Sequence, residues 1–174
     1  HWLTASAEQG NQYAQYALGS LFLSGEDVPK DVEAALKWLT QSAENGNEFA
    51  QYQLGRLFLR GEEIPKDGET AARWLTASAE QGNQYAQYVL GRLFLSGEDI
   101  PKDVEAALKR LTQSAEQGNE FAQYQLGRLY LIGQDVPKDR EAAIHSLTLA
   151  GEQGSECAQF LLNRLEDWQR AAIA

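Results

Sequence analysis

An all-α solenoid of antiparallel helix pairs is predicted by three observations: a repeat of fixed length, apolar and small residues at helical spacing within it, and stop signals at the same two points of every copy. Glycine stands at 10, 46, 82, 118 and 154, and Leu-Gly at 18/19, 54/55, 90/91 and 126/127, a period of 36 residues typical of helical-repeat arrays. The 174 residues are therefore read as one continuous stack: 1–9 a truncated repeat, 10–45, 46–81, 82–117 and 118–153 full repeats, and 154–174 a closing helix. No internal linker is expected, since each repeat buries its apolar side against the next.

The chain enters in the second half of a repeat, because Trp2–Gln9 (WLTASAEQ) matches Trp38–Asn45 (WLTQSAEN). Gly10 stops this helix and Asn11 caps the next, an arrangement that returns at 46/47, 82/83 and 118/119, with Gly154-Ser155 as a polar equivalent. From Gln12 to Ser24, Ala14, Leu18, Leu21 and Phe22 fall at helical spacing and define a first helix, A. Gly25 ends it. Glu26–Lys30 forms a turn in which Val28 reaches apolar space and Pro29 fixes φ, and Asp31 caps a second helix, B, running to Glu44. Ala35, Leu39 and Ala43 mark the buried face of B, with Trp38 beside them.

Gly19, Gly55, Gly91 and Gly127 sit inside helix A, where glycine costs about 1 kcal/mol relative to alanine. Close approach of helix B is the expected compensation. A longer period overlies the first: Trp2–Lys37 and Trp74–Lys109 differ only at 17/89, 20/92 and 28/100, which points to a duplicated 72-residue unit. At the far end Asn163 replaces the expected glycine and LEDWQRAAIA has no stop signal. Glu156 to about Ile173 is read as one longer helix whose Glu166, Asp167, Gln169 and Arg170 suit the polar face of a cap.

Hydrophobic content of 43% and charged content of 23% are those of an ordinary folded protein, while the net charge of −10 and pI near 4.7 oppose binding of a phosphate backbone through overall charge. No apolar run approaches the ~20 residues that cross a bilayer, and HWLTASAEQG is not a signal peptide. A soluble, cytoplasmic chain is expected, with no membrane partner. It lacks methionine and opens within a repeat, so it reads as a piece of a longer protein. Cys157 is the single cysteine; no internal disulfide or CxxC site is possible, and it is read as a small apolar residue packed in the last repeat.

The pattern AxxxLGxLFLxGxxVPKDxxxAxxWLxxSAExG, from Ala14 to Gly46 and again from Ala50 to Gly82, resembles Sel1-like repeats, the longer relatives of tetratricopeptide repeats. The resemblance covers essentially the whole chain. It implies a right-handed superhelix of helix pairs with the A helices on the concave side. Two departures stand out. Asp27, Glu63, Asp99 and Asp135 occupy a turn position where the family commonly has glycine, and Arg110 and Ser146 replace tryptophan in the last two B helices, which is expected to loosen packing there. The disulfide-stapled members are excluded, since the repeats here lack their cysteines. The wording LTQSAEQGNEFAQYQLGRLYL is also similar to Sel1-type regions attached to some Gram-positive bacterial conjugative relaxases, which implies an interaction arm of a larger enzyme.

No HExxH, GxxxxGK[ST], GxSxG or GxGxxG motif occurs, and His1 and His145 are too few and too far apart in sequence for a metal site. The acidic turns lack the spaced ligands of an EF-hand. No enzyme, metal or cofactor is expected.

What remains is a second face of helix A, at positions 13, 16, 17 and 20 of each repeat. It carries Tyr13, Phe49, Tyr85 and Phe121; then Tyr16, Tyr52, Tyr88 and Tyr124; then Ala17, Gln53, Val89 and Gln125; then Ser20, Arg56, Arg92 and Arg128. Aromatic and arginine side chains are the types enriched at binding hot spots. The candidate partner-binding set is Tyr16, Tyr52, Gln53, Arg56, Tyr88, Arg92, Tyr124, Gln125 and Arg128. Position 13 is read as packing between repeats in preference to binding, and pairing of the arginines with Glu48 and Glu120 is the structural alternative. The leading reading is a non-catalytic scaffold holding a protein or peptide segment, acidic or C-terminal in character. A helical-repeat reader of nucleic acid, which the net charge opposes, and a structural spacer within a larger enzyme are the alternatives.

Overall fold

The computed structural model describes residues 2–173 and is wholly helical apart from its turns. Ten helices are described: α1 (Trp2–Glu8), α2 (Gln12–Ser24), α3 (Val32–Glu44), α4 (Glu48–Arg60), α5 (Gly68–Glu80), α6 (Gln84–Ser96), α7 (Val104–Glu116), α8 (Glu120–Ile132), α9 (Arg140–Glu152) and α10 (Glu156–Ile173). The even-numbered helices are A helices and the odd-numbered ones B helices. Each A helix packs most extensively on the B helix that follows it, and each B helix then packs on the next A helix. The result is an all-α solenoid of antiparallel pairs.

Helix ends fall where short-range chemistry dictates. Asn11 accepts from the N–H groups of Tyr13 and Ala14, both at 3.0 Å, and Asn47, Asn83 and Asn119 each accept from the alanine three residues on. Each such cap stabilises its helix by about 1 kcal/mol. Gly25, Gly61, Gly97 and Gly133 close the A helices at φ of 67–70°, a left-handed conformation that a Cβ disfavours. Aspartates 31, 67, 103 and 139 then cap the B helices. Thr70 adds a hydroxyl donation to Asp67 at 2.7 Å. The backbone N–H of Thr70, followed by that hydroxyl, holds the Asp67 carboxyl below its ordinary pKa.

The mid-helix glycines are contact sites. A Cβ at Gly19, Gly55, Gly91 or Gly127 would lie 2.6, 2.6, 2.8 or 2.5 Å from Cγ of Leu39, Leu75, Leu111 or Leu147. Those four leucines are fully buried. Burying a leucine is worth about 1.5–3 kcal/mol, more than the ~1 kcal/mol that glycine costs the helix.

Between repeats, buried glutamines form a hydrogen-bonded series that spacing alone does not announce. Gln51 donates to the Ala43 carbonyl at 3.0 Å and accepts from Gln81 at 2.7 Å. Gln87 and Gln123 repeat the pattern, and Gln15 does so with Asn45 as its donor. Ser42, Ser78 and Ser114 each donate to the first carbonyl of the A helix in their own repeat. Every repeat is thereby tied by the same polar groups, which would be costly if buried unpaired.

The acidic turn residues that depart from the family pattern also act between repeats. Lys30 pairs with Glu63, Lys66 with Asp99 at 2.7 Å and Lys102 with Asp135 at 2.6 Å. Arg110, in a tryptophan position, is largely covered, donates to Gln113 and lies 3.8 Å from Glu80.

α10 is a single helix of 18 residues. On it Asn163, Glu166 and Asp167 stand where the other A helices carry glycine, an aromatic residue and leucine. Gln169, assigned to the cap's polar face, lies outside the residues whose side chains are described. Cys157 is a correction: it is exposed and not packed, because it aligns with Tyr13, Phe49, Tyr85 and Phe121, whose side chains project from the stack.

Candidate partner-binding surface

The candidate residues lie along successive A helices, α2, α4, α6 and α8, whose caps and glycine contacts leave positions 13, 16, 17 and 20 on a common side. Neighbouring A helices meet through rings: Tyr16 with Phe49, Tyr52 with Tyr85 and Tyr88 with Phe121, at centroid distances of 6.0, 6.2 and 5.9 Å. Position 16 of one repeat therefore packs on position 13 of the next. The rings at position 13 nonetheless stay open, with Tyr13 at 64% and Phe49 at 46% exposure. Each pair both joins two repeats and presents an aromatic edge outward.

The arginines stand on these rings. Arg56, Arg92 and Arg128 place their guanidinium carbons 5.6, 5.8 and 5.8 Å from the centroids of Tyr52, Tyr88 and Tyr124, one helical turn earlier. A guanidinium held over a ring can still donate to a carboxylate through its N–H groups. All three arginines are exposed. Among the described residues none forms an ion pair, with Glu48 and Glu120 or otherwise.

Gln53 accepts from the Ser20 hydroxyl at 2.9 Å, so part of its hydrogen-bonding capacity is used between repeats. Gln125 borders a groove between Arg92 and Arg128. A larger groove of about 380 Å³ opens between α2, α4 and α6, walled by Tyr16, Phe49, Tyr52 and Tyr85, with Arg56 and Arg60 among its polar groups.

The ladder has one rung beyond the residues the sequence predicts. Arg164 lies 5.8 Å from the centroid of Phe160 in α10 and continues the ladder in register. The signal was present at one further step of 36 residues, but Asn163 breaks the Leu-Gly marker. Arg60, a turn beyond Arg56, carries no periodic signal, because its position is Ser24, Ser96 or Ile132 in the other repeats.

Among the described residues no cluster of His, Cys, Asp and Glu could hold a metal ion, and no helix is long and apolar enough to cross a membrane. The fold is that of a helical-repeat domain of the protein-interaction class. The Sel1 repeat profile matches residues 12–47, 49–83, 84–119 and 121–155; the chain belongs to the Sel1 repeat family.

Two solved structures are similar over most of the chain. A protective antigen of uropathogenic Escherichia coli strains with an SLR fold shares 32% identity at a TM-score of 0.87, covering 90% of this chain and 34% of the antigen. A Sel1 repeat protein from Oxalobacter formigenes shares 34% identity at 0.84, covering 94% and 47%. The chain thus spans between a third and a half of those relatives. Helicobacter pylori cysteine rich protein B, at 21% identity and a TM-score of 0.60 over 79% of this chain and 99% of its own, shares the fold. A search of curated proteins gave no match.

Proposed function

We propose that the chain is a scaffold whose A-helix face, concave in the superhelix that the family resemblance implies, holds a protein or peptide segment. Tyr16, Tyr52, Tyr88 and Tyr124 supply apolar contact, Gln53 and Gln125 polar contact, and Arg56, Arg92 and Arg128 receive carboxylates. The observation that carries this reading is the set of exposed arginines, stacked on tyrosine and without ion pairs, on a chain of net charge −10. A pre-stacked guanidinium loses little conformational freedom when it meets a carboxylate. Such a domain, placed in the cytoplasm, would act as an adaptor or as the interaction arm of a larger bacterial protein. Attachment to an enzyme such as a relaxase rests on the wording of the repeat alone.

The test is the Arg92→Glu/Arg128→Glu variant. Capture of a partner found by pull-down should be lost in calorimetry while circular dichroism stays unchanged, and added salt should weaken the parent complex in the same direction. Unchanged affinity in the folded variant would move the binding surface elsewhere. Tighter retention of RNA than of acidic peptides at low salt would favour a nucleic-acid reader.

A further inference from the structure

We propose that the groove between α8 and α10 captures the C-terminal residue of a partner chain, with its apolar side chain in the groove and its terminal carboxylate on Lys138 and Arg164. This rests on the reading that the A-helix face holds a protein segment, and it adds which part of that segment is held and where.

The groove is a repeated feature whose character has changed. Between α6 and α8 it is polar, bordered by Arg92, Ser96, Gln125, Arg128 and Asp135. One repeat further on, Ser96 becomes Ile132, Gln125 becomes Leu161, and the place of Asp135 falls on Ala171, within α10. Ile132 and Leu161, together with Leu131, Phe160 and Leu165, line a groove of about 400 Å³, a volume in the range of ligand pockets. Phe160 stands where the other A helices carry tyrosine and is 59% exposed, and Ile132 is 49% exposed. Arg140 donates to the Leu165 carbonyl at 3.1 Å and ties the α10 wall to the start of α9. The apolar surface is thus held open on an ordered frame, where an occupant loses little to reorganisation.

Its charge follows from the lost acid. Lys30, Lys66 and Lys102 each reach a carboxylate of the next turn, whereas their counterpart Lys138 has Ala171 in that place. The stem of Lys138 also runs differently: the atom closest to a Cβ built on Gly133 is its Cγ, while on Gly25, Gly61 and Gly97 it is the lysine Cβ. Among the described residues neither Lys138 nor Arg164 forms an ion pair, and no carboxylate lines the groove. Two cations beside an apolar groove select an occupant that is apolar and anionic at once. A C-terminal residue is both, since its side chain and its carboxylate leave the same Cα. In an extended internal segment, an apolar residue and an adjacent acid point to opposite sides, so neighbouring positions cannot supply both.

The experiment titrates isotope-labelled protein by NMR with acetyl-Ser-Gly-Ile-Leu as the free acid, with its C-terminal amide, and with the acid ending in Ser in place of Leu. The free acid should shift the amides of Ile132, Leu161 and Arg164 and bind about tenfold tighter than the amide, which lacks the charge for two partly exposed pairs. The Ser-ended acid should bind at least about tenfold more weakly, because it buries no apolar side chain. Lys138→Gln/Arg164→Gln should bring the acid down to the affinity of the amide and leave the amide unchanged. Ile132→Ser and Leu161→Gln install residues that other repeats carry at these positions, and should weaken acid and amide alike. Equal binding of acid and amide by the parent would overturn the proposal, as would tighter binding of octanoate, which would favour a lipid. Shifts at Arg56, Arg92 and Arg128 without shifts in α10 would overturn this groove while the inner A-helix face stands. Partner capture retained in Arg92→Glu/Arg128→Glu, with tetrapeptide shifts in α10, would sink the inner face and leave this groove as the docking point.

Discussion

Two basic series run along this solenoid at the same period, one of lysines in the turns and one of arginines on the A helices, and their charges meet different fates. Lys30, Lys66 and Lys102 are each met by a carboxylate of the next repeat's turn. Arg56, Arg92 and Arg128 are met by rings of their own helix and by no carboxylate. The turns stack directly on one another, so acid and base from neighbouring repeats converge there. On the A-helix face the outward positions of successive repeats carry the same residue type, and like charges in register cannot satisfy each other. Periodicity alone thus makes one series internally neutral and leaves the other open to an outside partner.

The largest effect is expected from removing the support that both series share. Gly91→Leu would drive a side chain into Leu111 and toward the Ala107 carbonyl, which lies 3.2 Å from a Cβ built there. Overpacking of this kind should cost about 1–3 kcal/mol, read from the midpoint of urea unfolding. A variant as stable as the parent would mean that α6 and α7 can separate without cost.

The next test separates the two series. Lys66→Glu/Lys102→Glu sets like charges against Asp99 and Asp135 and should destabilise by about 0.5–1 kcal/mol in total, less at high salt, since both pairs are partly exposed. Arg92→Glu/Arg128→Glu should stay within about 0.5 kcal/mol of the parent. Equal losses in the two variants would show that the arginines also hold the stack together.

The smallest effect concerns the turn edge itself. Thr70→Val removes the hydroxyl donation to Asp67 and keeps the backbone bond, the larger cause of the lowered pKa, so the carboxyl should titrate higher than in the parent while remaining below its ordinary value. Asp67 has a lowered folded pKa; its contribution is present above the unfolded pKa and lost as pH falls through the folded one. The variant should therefore lose stability slightly earlier on acidification, and carbon-detected NMR titration of Asp67 reads the shift directly. An unmoved titration would leave the backbone bond as the whole cause.

The chain's own order of residues was enough to determine the period, the helix boundaries, the Asn, Gly and Asp caps, the close approach at Gly19, Gly55, Gly91 and Gly127, and the face carrying tyrosine and arginine. All of these depend on interactions within a few residues or on one helical pair, where spacing is geometry. What tertiary structure decided lies between repeats. The turn ion pairs join residues 33 positions apart. The bonds from Gln51 to the Ala43 carbonyl, Gln87 to Ala79 and Gln123 to Ala115 tie each A helix to the B helix of the preceding repeat, and the fourth rung at Arg164 projects from a helix whose local markers had been replaced. Such contacts depend on how far each repeat rotates and slides against its neighbour. That displacement is set by the packing of rings, leucines and glycines in three dimensions, which no spacing along the chain encodes.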